Sequence, residues 1–155
     1  MSEVRRIQDQ LRRAFEGEAW HGDSIIQLLK GVTAEQAAAK PIKGVHSIYE
    51  IVSHIAFWET ISRRRVEGDE GKVENLEEGW AFPNDGSEAA WQAAIEKLKI
   101  SNEALRETIG KLSDEQLKEK AAGQIYSIYF MLHGVIQHDL YHAGQIAVLK
   151  KALTA

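Results

Sequence analysis

Apolar residues recur every three or four positions over four long stretches of the chain, and the segments between them lose that rhythm. A period of this kind gathers side chains on one face of an α-helix. The first stretch runs from about Ser2 to Lys30, with Ile7, Leu11, Ala14 and Phe15 on one face and Ile25, Ile26, Leu28 and Leu29 further on. Gly17 and Gly22 predict a kink or break between its halves. The second starts at Ser47, where Glu50 completes a capping box, carries Ile48, Ile51, Val52, Ile55 and Trp58, and fades near Gly68. The third follows Ser87, with Trp91, Ala94, Ile95, Leu98 and Leu105 in helical register. The fourth runs from near Ser127 through Leu149 and is apolar on several faces, as a central helix would be. Pro41 and Pro83 fall where the pattern has already lapsed.

These elements predict an all-α protein, a four-helix bundle with negligible strand, forming one domain over residues 1–155. The Gly- and acid-rich stretch from Asp69 to Gly86 is long for a tight turn, so a crossover connection between helices two and three is expected. The chain also repeats itself. Val32-Thr33-Ala34-Glu35-Gln36 is similar to Leu112-Ser113-Asp114-Glu115-Gln116, and Ser47-Ile48-Tyr49 recurs as Ser127-Ile128-Tyr129. Thr33 and Ser113, like Ser47 and Ser127, stand 80 residues apart. The shared offset predicts two copies of one unit: long helix, short capped turn, long helix.

Composition narrows the function. Hydrophobic residues make up 44% and charged residues 27%, an ordinary globular balance. The net charge of −4, with Lys and Arg scattered among acids, argues against nucleic acid or an anionic membrane as partner. The basic clusters Arg12-Arg13 and Arg63-Arg64-Arg65 read as solvated helix faces. With no cysteine there are no disulfides, thiolate ligands or cysteine nucleophile. No apolar leader core is present in the first twenty residues and no run is long enough for a membrane span, so a cytoplasmic protein is expected.

The candidate chemistry lies in six histidines. His138 and His142 are four apart in a helical pattern and share a face, where they can grip one ion from the same side. His54 is the third candidate ligand, a polar ring on an apolar face beside Ile51, Ile55 and Trp58. Spacing alone also suits a hydrogen-bonded pair and a satisfied core histidine. His133, five residues before His138, faces elsewhere on the helix. His46 precedes a helix and is expected to cap it or meet solvent. His21, at the suspected kink, is a candidate to line a pocket. Glu50, one turn before His54, either accepts that ring's second proton or merely closes the capping box. Gln145 is placed to present its amide to the site, and Gly144 is expected to permit close helix approach. Di-iron chemistry of the ferritin type wants two Glu-x-x-His pairs, but only Glu18-Ala19-Trp20-His21 fits; the His-Glu-x-x-His protease pattern is absent.

The segment from His133 to Ile146, with His138-Asp139-Leu140-Tyr141-His142 at its centre, resembles the C-terminal helix motif of the DinB/YfiT-like superfamily. The stretch from His46 to Glu59, with Ser53-His54-Ile55, resembles its second-helix motif, and Trp20-His21-Gly22 and Gly31-Val32-Thr33-Ala34-Glu35-Gln36 are similar to further parts of it. The resemblance implies a four-helix bundle with crossover topology that binds a divalent metal ion through three histidines, here His54, His138 and His142. Nickel or zinc comes first, with iron or manganese as further candidates. It implies either a thiol-dependent S-transferase, acting on a small-molecule substrate with a low-molecular-weight thiol, or a metal-dependent hydrolase, and a homodimer. A non-catalytic metal-stabilised bundle or a stress-associated binding protein is the alternative. If the three rings serve one ion, they should lie within about 5–6 Å of each other, with an open position left beside them.

Overall fold

The computed structural model describes residues 1–80 and 83–155; Ala81 and Phe82, within the stretch expected to be irregular, lie outside the described residues. The described residues form α1 (Glu3–Glu16), α2 (Ile25–Leu29), α3 (Ala34–Ala38), α4 (Ile48–Val66), α5 (Glu88–Gly110) and α6 (Ile128–Thr154), with 3-10 turns at Leu76–Gly79 and Gln116–Lys118. Among them the only β-type pairings are the isolated bridges Ala19–Gly22 and Lys120–Ser127. The first apolar stretch is therefore two helices, not one. Gly17 (φ 138°), Glu18 (φ 64°) and Gly22 (φ 120°) all leave the helical region, which interrupts the helix outright.

The repeated motifs adopt the same local chemistry. Thr33 Oγ1 accepts from Gln36 N while Gln36 Oε1 accepts from Thr33 N, and Ser113 and Gln116 exchange the same two bonds. Ser47 and Ser127 each cap a long helix, accepting from Glu50 N and Phe130 N. A cap of this kind is worth about 1 kcal/mol and fixes where its helix begins, which in turn fixes the depth of every side chain along it. Gly144 does not act as expected: a Cβ there would meet no described atom within 4 Å, so no described helix approaches it.

Helix α1 packs on α5 and α6, and α4 packs on the same two. Tyr49 meets Trp91, Glu59 bonds Ser101 and Asn102, and Glu67 bonds Thr108, so α4 and α5 advance in the same direction. Helix α6 runs against α4: Arg65 near the end of α4 donates to the Tyr126 hydroxyl, just before α6 begins. The core has two apolar halves. One gathers Ile51, Ile55, Trp91, Leu98 and Ile146, and the other Ile7, Leu11, Leu105, Ile109 and Leu132. At their junction sits a buried polar layer of Glu59, Ser101, Asn102 and Asp139. The arginine clusters are paired at the surface, Arg12 and Arg13 with Asp9, Arg63 with Glu67, and Arg64 with Asp69.

Candidate metal centre

His54 lies two turns into α4, and His138 and His142 lie one turn apart in the middle of α6. The antiparallel packing of the two helices brings the three rings together, with centroids 5.0, 4.8 and 4.4 Å apart. Their inner nitrogens are closer still: His138 Nε2 is 3.0 Å from His54 Nε2 and 3.1 Å from His142 Nε2.

The outer nitrogens decide what those contacts are. His54 Nδ1 lies 2.7 Å from the Gly79 carbonyl oxygen, which can only accept, so Nδ1 carries the ring's proton and Nε2 keeps a bare lone pair. His142 Nδ1 lies 2.6 Å from Gln145 Oε1, and the same reasoning leaves its Nε2 bare. His138 Nε2 has at most one hydrogen and cannot satisfy both neighbours. Ring nitrogens that each sit about 2.0–2.1 Å from one ion are held roughly 3 Å apart, which is the spacing of His138 Nε2 from each of the other two; all three ligand atoms lie within 4.8 Å of one another. Burial pushes all three imidazoles down to about 4, aided by the mutual repulsion of their charged forms at His54 and His142. They are thus neutral near pH 7, the state in which imidazole ligates a metal. A set of three neutral imidazoles suits nickel, zinc or iron. His54, His138 and His142 form the cluster alone, without an Asp or Glu, among the described residues.

The supporting groups differ in part from those expected. Gln145 meets the site as an acceptor for His142. Glu50 does not reach His54; it closes the capping box and bonds Lys40 and His46. His46, expected at a cap or in solvent, lies flat on Trp80 at 3.6 Å, and Trp80 lies flat on His54 at 3.6 Å. His133 faces Tyr129 and Glu3, away from the cluster. His21 lines a groove of about 720 Å³ with Asp23, Leu28, Leu140 and Ala143, and none of the three clustered histidines lines it.

Two features were not singled out from the sequence. Gly79 and Trp80 come from the stretch between α4 and α5, where periodicity gives no signal. A Cβ at position 79 would stand 3.1 Å from Trp58 Nε1 and 3.3 Å from His54 Nδ1, so only glycine brings its carbonyl this close without displacement. Glu59 and Asp139, both fully buried, are the other. Glu59 accepts from Ser101 Oγ at 2.6 Å and Asn102 Nδ2 at 2.7 Å. Burial raises both carboxyls, Asp139 to about 8, and their contact works against ionising both. Among the described residues neither Asp139 oxygen has a hydrogen-bond partner, so nothing offsets the burial that favours its neutral form.

Fold and cluster together define a helical bundle with a three-histidine centre of metal-ligand geometry. The family model of the DinB superfamily matches residues 19–146, and the chain belongs to that superfamily. No curated protein and no solved structure gives a match. No described helix is long and apolar enough to cross a membrane.

Proposed function

We propose that this protein is a metal-dependent enzyme that holds nickel or zinc between His54, His138 and His142 and uses the open side of the ion on a small-molecule substrate. The observation that carries the reading is the outward turn of the protons on His54 and His142, which aims their Nε2 lone pairs inward at spacing suited to one ion. Three protein ligands leave a coordination position for substrate, as catalytic sites require. When bound, the ion supplies Lewis acidity that favours the ionised form of water or a thiol at neutral pH. The protein's own groups orient the site. Gly79 fixes the His54 tautomer, Gln145 that of His142, and Trp80 covers one face of His54. The reaction classes proposed are transfer to a low-molecular-weight thiol and hydrolysis, and a homodimer belongs to the same reading.

Elemental analysis of untagged protein tests the ion directly: about one equivalent per chain is expected in the wild type and almost none in His142→Ala. An equal metal content in the two would remove the reading. Sedimentation as a monomer at about tens of micromolar would remove the dimer.

A second reading, a metal-stabilised bundle without turnover, is favoured by one observation: four surface grooves among the described residues, of about 350 to 720 Å³, are lined by residues other than the three histidines. A thiol that perturbs the absorption of the Co²⁺-loaded protein separates the readings, because it needs access to the ion.

A further inference from the structure

Large apolar side chains are unevenly exposed over the bundle. On α6, Tyr129, Phe130, Tyr141 and Val148 are 45 to 65% exposed, whereas α5 exposes only Ile100 to this degree and α1 and α4 expose none. Charge is scarce on the same helix: before Lys150 its only Asp, Glu, Lys or Arg is Asp139, which is buried. A helix face that is poor in charge and carries exposed aromatics has the composition of a protein interface core. Phe130, Gly134, Gln137, Tyr141, Gly144 and Val148 follow one another at spacings of 4, 3, 4, 3 and 4. At 3.6 residues per turn they fall in one stripe about 80° wide, the alternation by which a helix seats along another at a shallow angle. Among the described residues the stripe is open, since a Cβ at Gly134 or Gly144 would meet nothing within 4 Å.

The order of residues along the stripe points to its occupant. Phe130 and Val148 each stand nine residues from position 139, Gly134 and Gly144 five, and Gln137 and Tyr141 two. Reversing the helix about that point lays the stripe on itself. Phe130 then faces Val148 at both ends, the notches at Gly134 and Gly144 face each other, and the Gln137 amide meets the Tyr141 hydroxyl in the middle. A second copy related by a two-fold axis supplies this match, because an isologous contact needs a surface complementary to itself. A parallel pairing would set Gln137 against Gln137 and Lys151 against Lys151 with the helix dipoles aligned, which like charges oppose.

We propose that the protein pairs through α6, two copies laying this stripe antiparallel about a two-fold axis level with Asp139. The inference rests on the homodimer of the reading above and supplies its surface. The seam borders the metal centre: the Tyr141 ring stands 5.1 Å from that of His142, and its hydroxyl accepts from Gln145 Nε2 at 3.4 Å, on the side chain that orients His142.

The chain has no cysteine, so introduced thiols report the geometry without background. Phe130→Cys and Val148→Cys proteins are mixed in equal amounts and treated with a short thiol-to-thiol cross-linker. The mixture should yield a covalent dimer joining one of each, and neither protein alone should, because like positions lie 18 residues apart along the antiparallel pair, about 27 Å. In sedimentation, Val148→Arg should weaken the dimer by about 100-fold, since it buries a charge without a partner, while Ile100→Arg, equally exposed on α5, should leave it unchanged. Cross-linking of Val148→Cys with itself would show a parallel pair and overturn the proposal. A wild-type dimer that gives no mixed cross-link, or that Ile100→Arg dissociates and Val148→Arg does not, overturns it and leaves the homodimer intact on another face. A wild-type monomer removes both. Should Val148→Arg lose cooperative melting, the cross-link alone decides.

Discussion

The bundle buries two polar groups of similar depth, and they treat the internal repeat in opposite ways. Glu59 and Asp139 stand 80 residues apart, the offset of the repeated caps, and meet each other at the junction of the two apolar halves. The histidine cluster breaks the same symmetry. Along α4 the stripe reads His54, Trp58, Ser62; at the equivalent positions of α6 it reads Gly134, His138, His142. A contact that both copies retain answers a need both copies have, namely joining α4 to α6. A set of residues found once answers a need of the assembled molecule. The titration of the two groups differs in the same sense: burial favours the protonated carboxyl and the unprotonated imidazole, so each group is drawn toward neutrality, but from opposite directions.

Substitution should separate the two most strongly. Glu59→Leu leaves Ser101, Asn102 and Asp139 without their partner and should cost about 3–5 kcal/mol in urea unfolding of the metal-free protein. His54→Leu exchanges a buried ring for an apolar side chain and should cost less than about 1 kcal/mol while abolishing metal uptake. Similar losses of stability in the two would erase the distinction.

The pH dependence of stability should also split in two. Each clustered histidine binds its proton less readily in the folded chain than at its ordinary value of 6.5. Its contribution is therefore present above pH 6.5 and lost as pH falls through about 4. The carboxyl pair runs the other way: Asp139 contributes fully below its ordinary 3.8, and that contribution is lost as pH rises through about 8. Urea midpoints of the metal-free protein should accordingly lose part of their acid-side fall in His142→Ala, and part of their decline toward alkaline pH in Asp139→Asn. A variant that leaves its own limb unchanged would refute the assignment of that limb.

The smaller effects concern the groups behind the ligands. Gly79→Ala forces Trp58 or His54 aside and should weaken metal affinity about 10- to 100-fold in chelator competition, with little change in Tm. Gln145→Leu frees the His142 ring and should weaken it about 10-fold by the same measurement. No change in either would mean that the ligand rings are held by packing alone.

Much of the arrangement was legible because it repeats at short range. Helix spacing joined His138 to His142, and the family resemblance joined His54 to them; the matching Ser47 and Ser127 caps do not set a common depth, because α4 and α6 run antiparallel. Gly79 and Trp80 were not legible, because their place depends on how an aperiodic segment folds back over α4. Glu50 was legible only as a choice between two partners, and the capping geometry together with Lys40 and His46 decided it. Glu59 and Asp139 were visible in principle, since the repeat offset pairs them. Only packing shows that they face inward.

Two of the three clustered rings lie on α6, which leaves the ribosome after the other five helices. A chain interrupted anywhere before His138 carries one of the three, and α4 by itself offers a single imidazole. On the proposed reading, metal uptake thus becomes a signature of synthesis carried past His142: prematurely released chains compete poorly for the ion, and metal-bound protein in a mixed population is enriched in molecules whose sixth helix has docked.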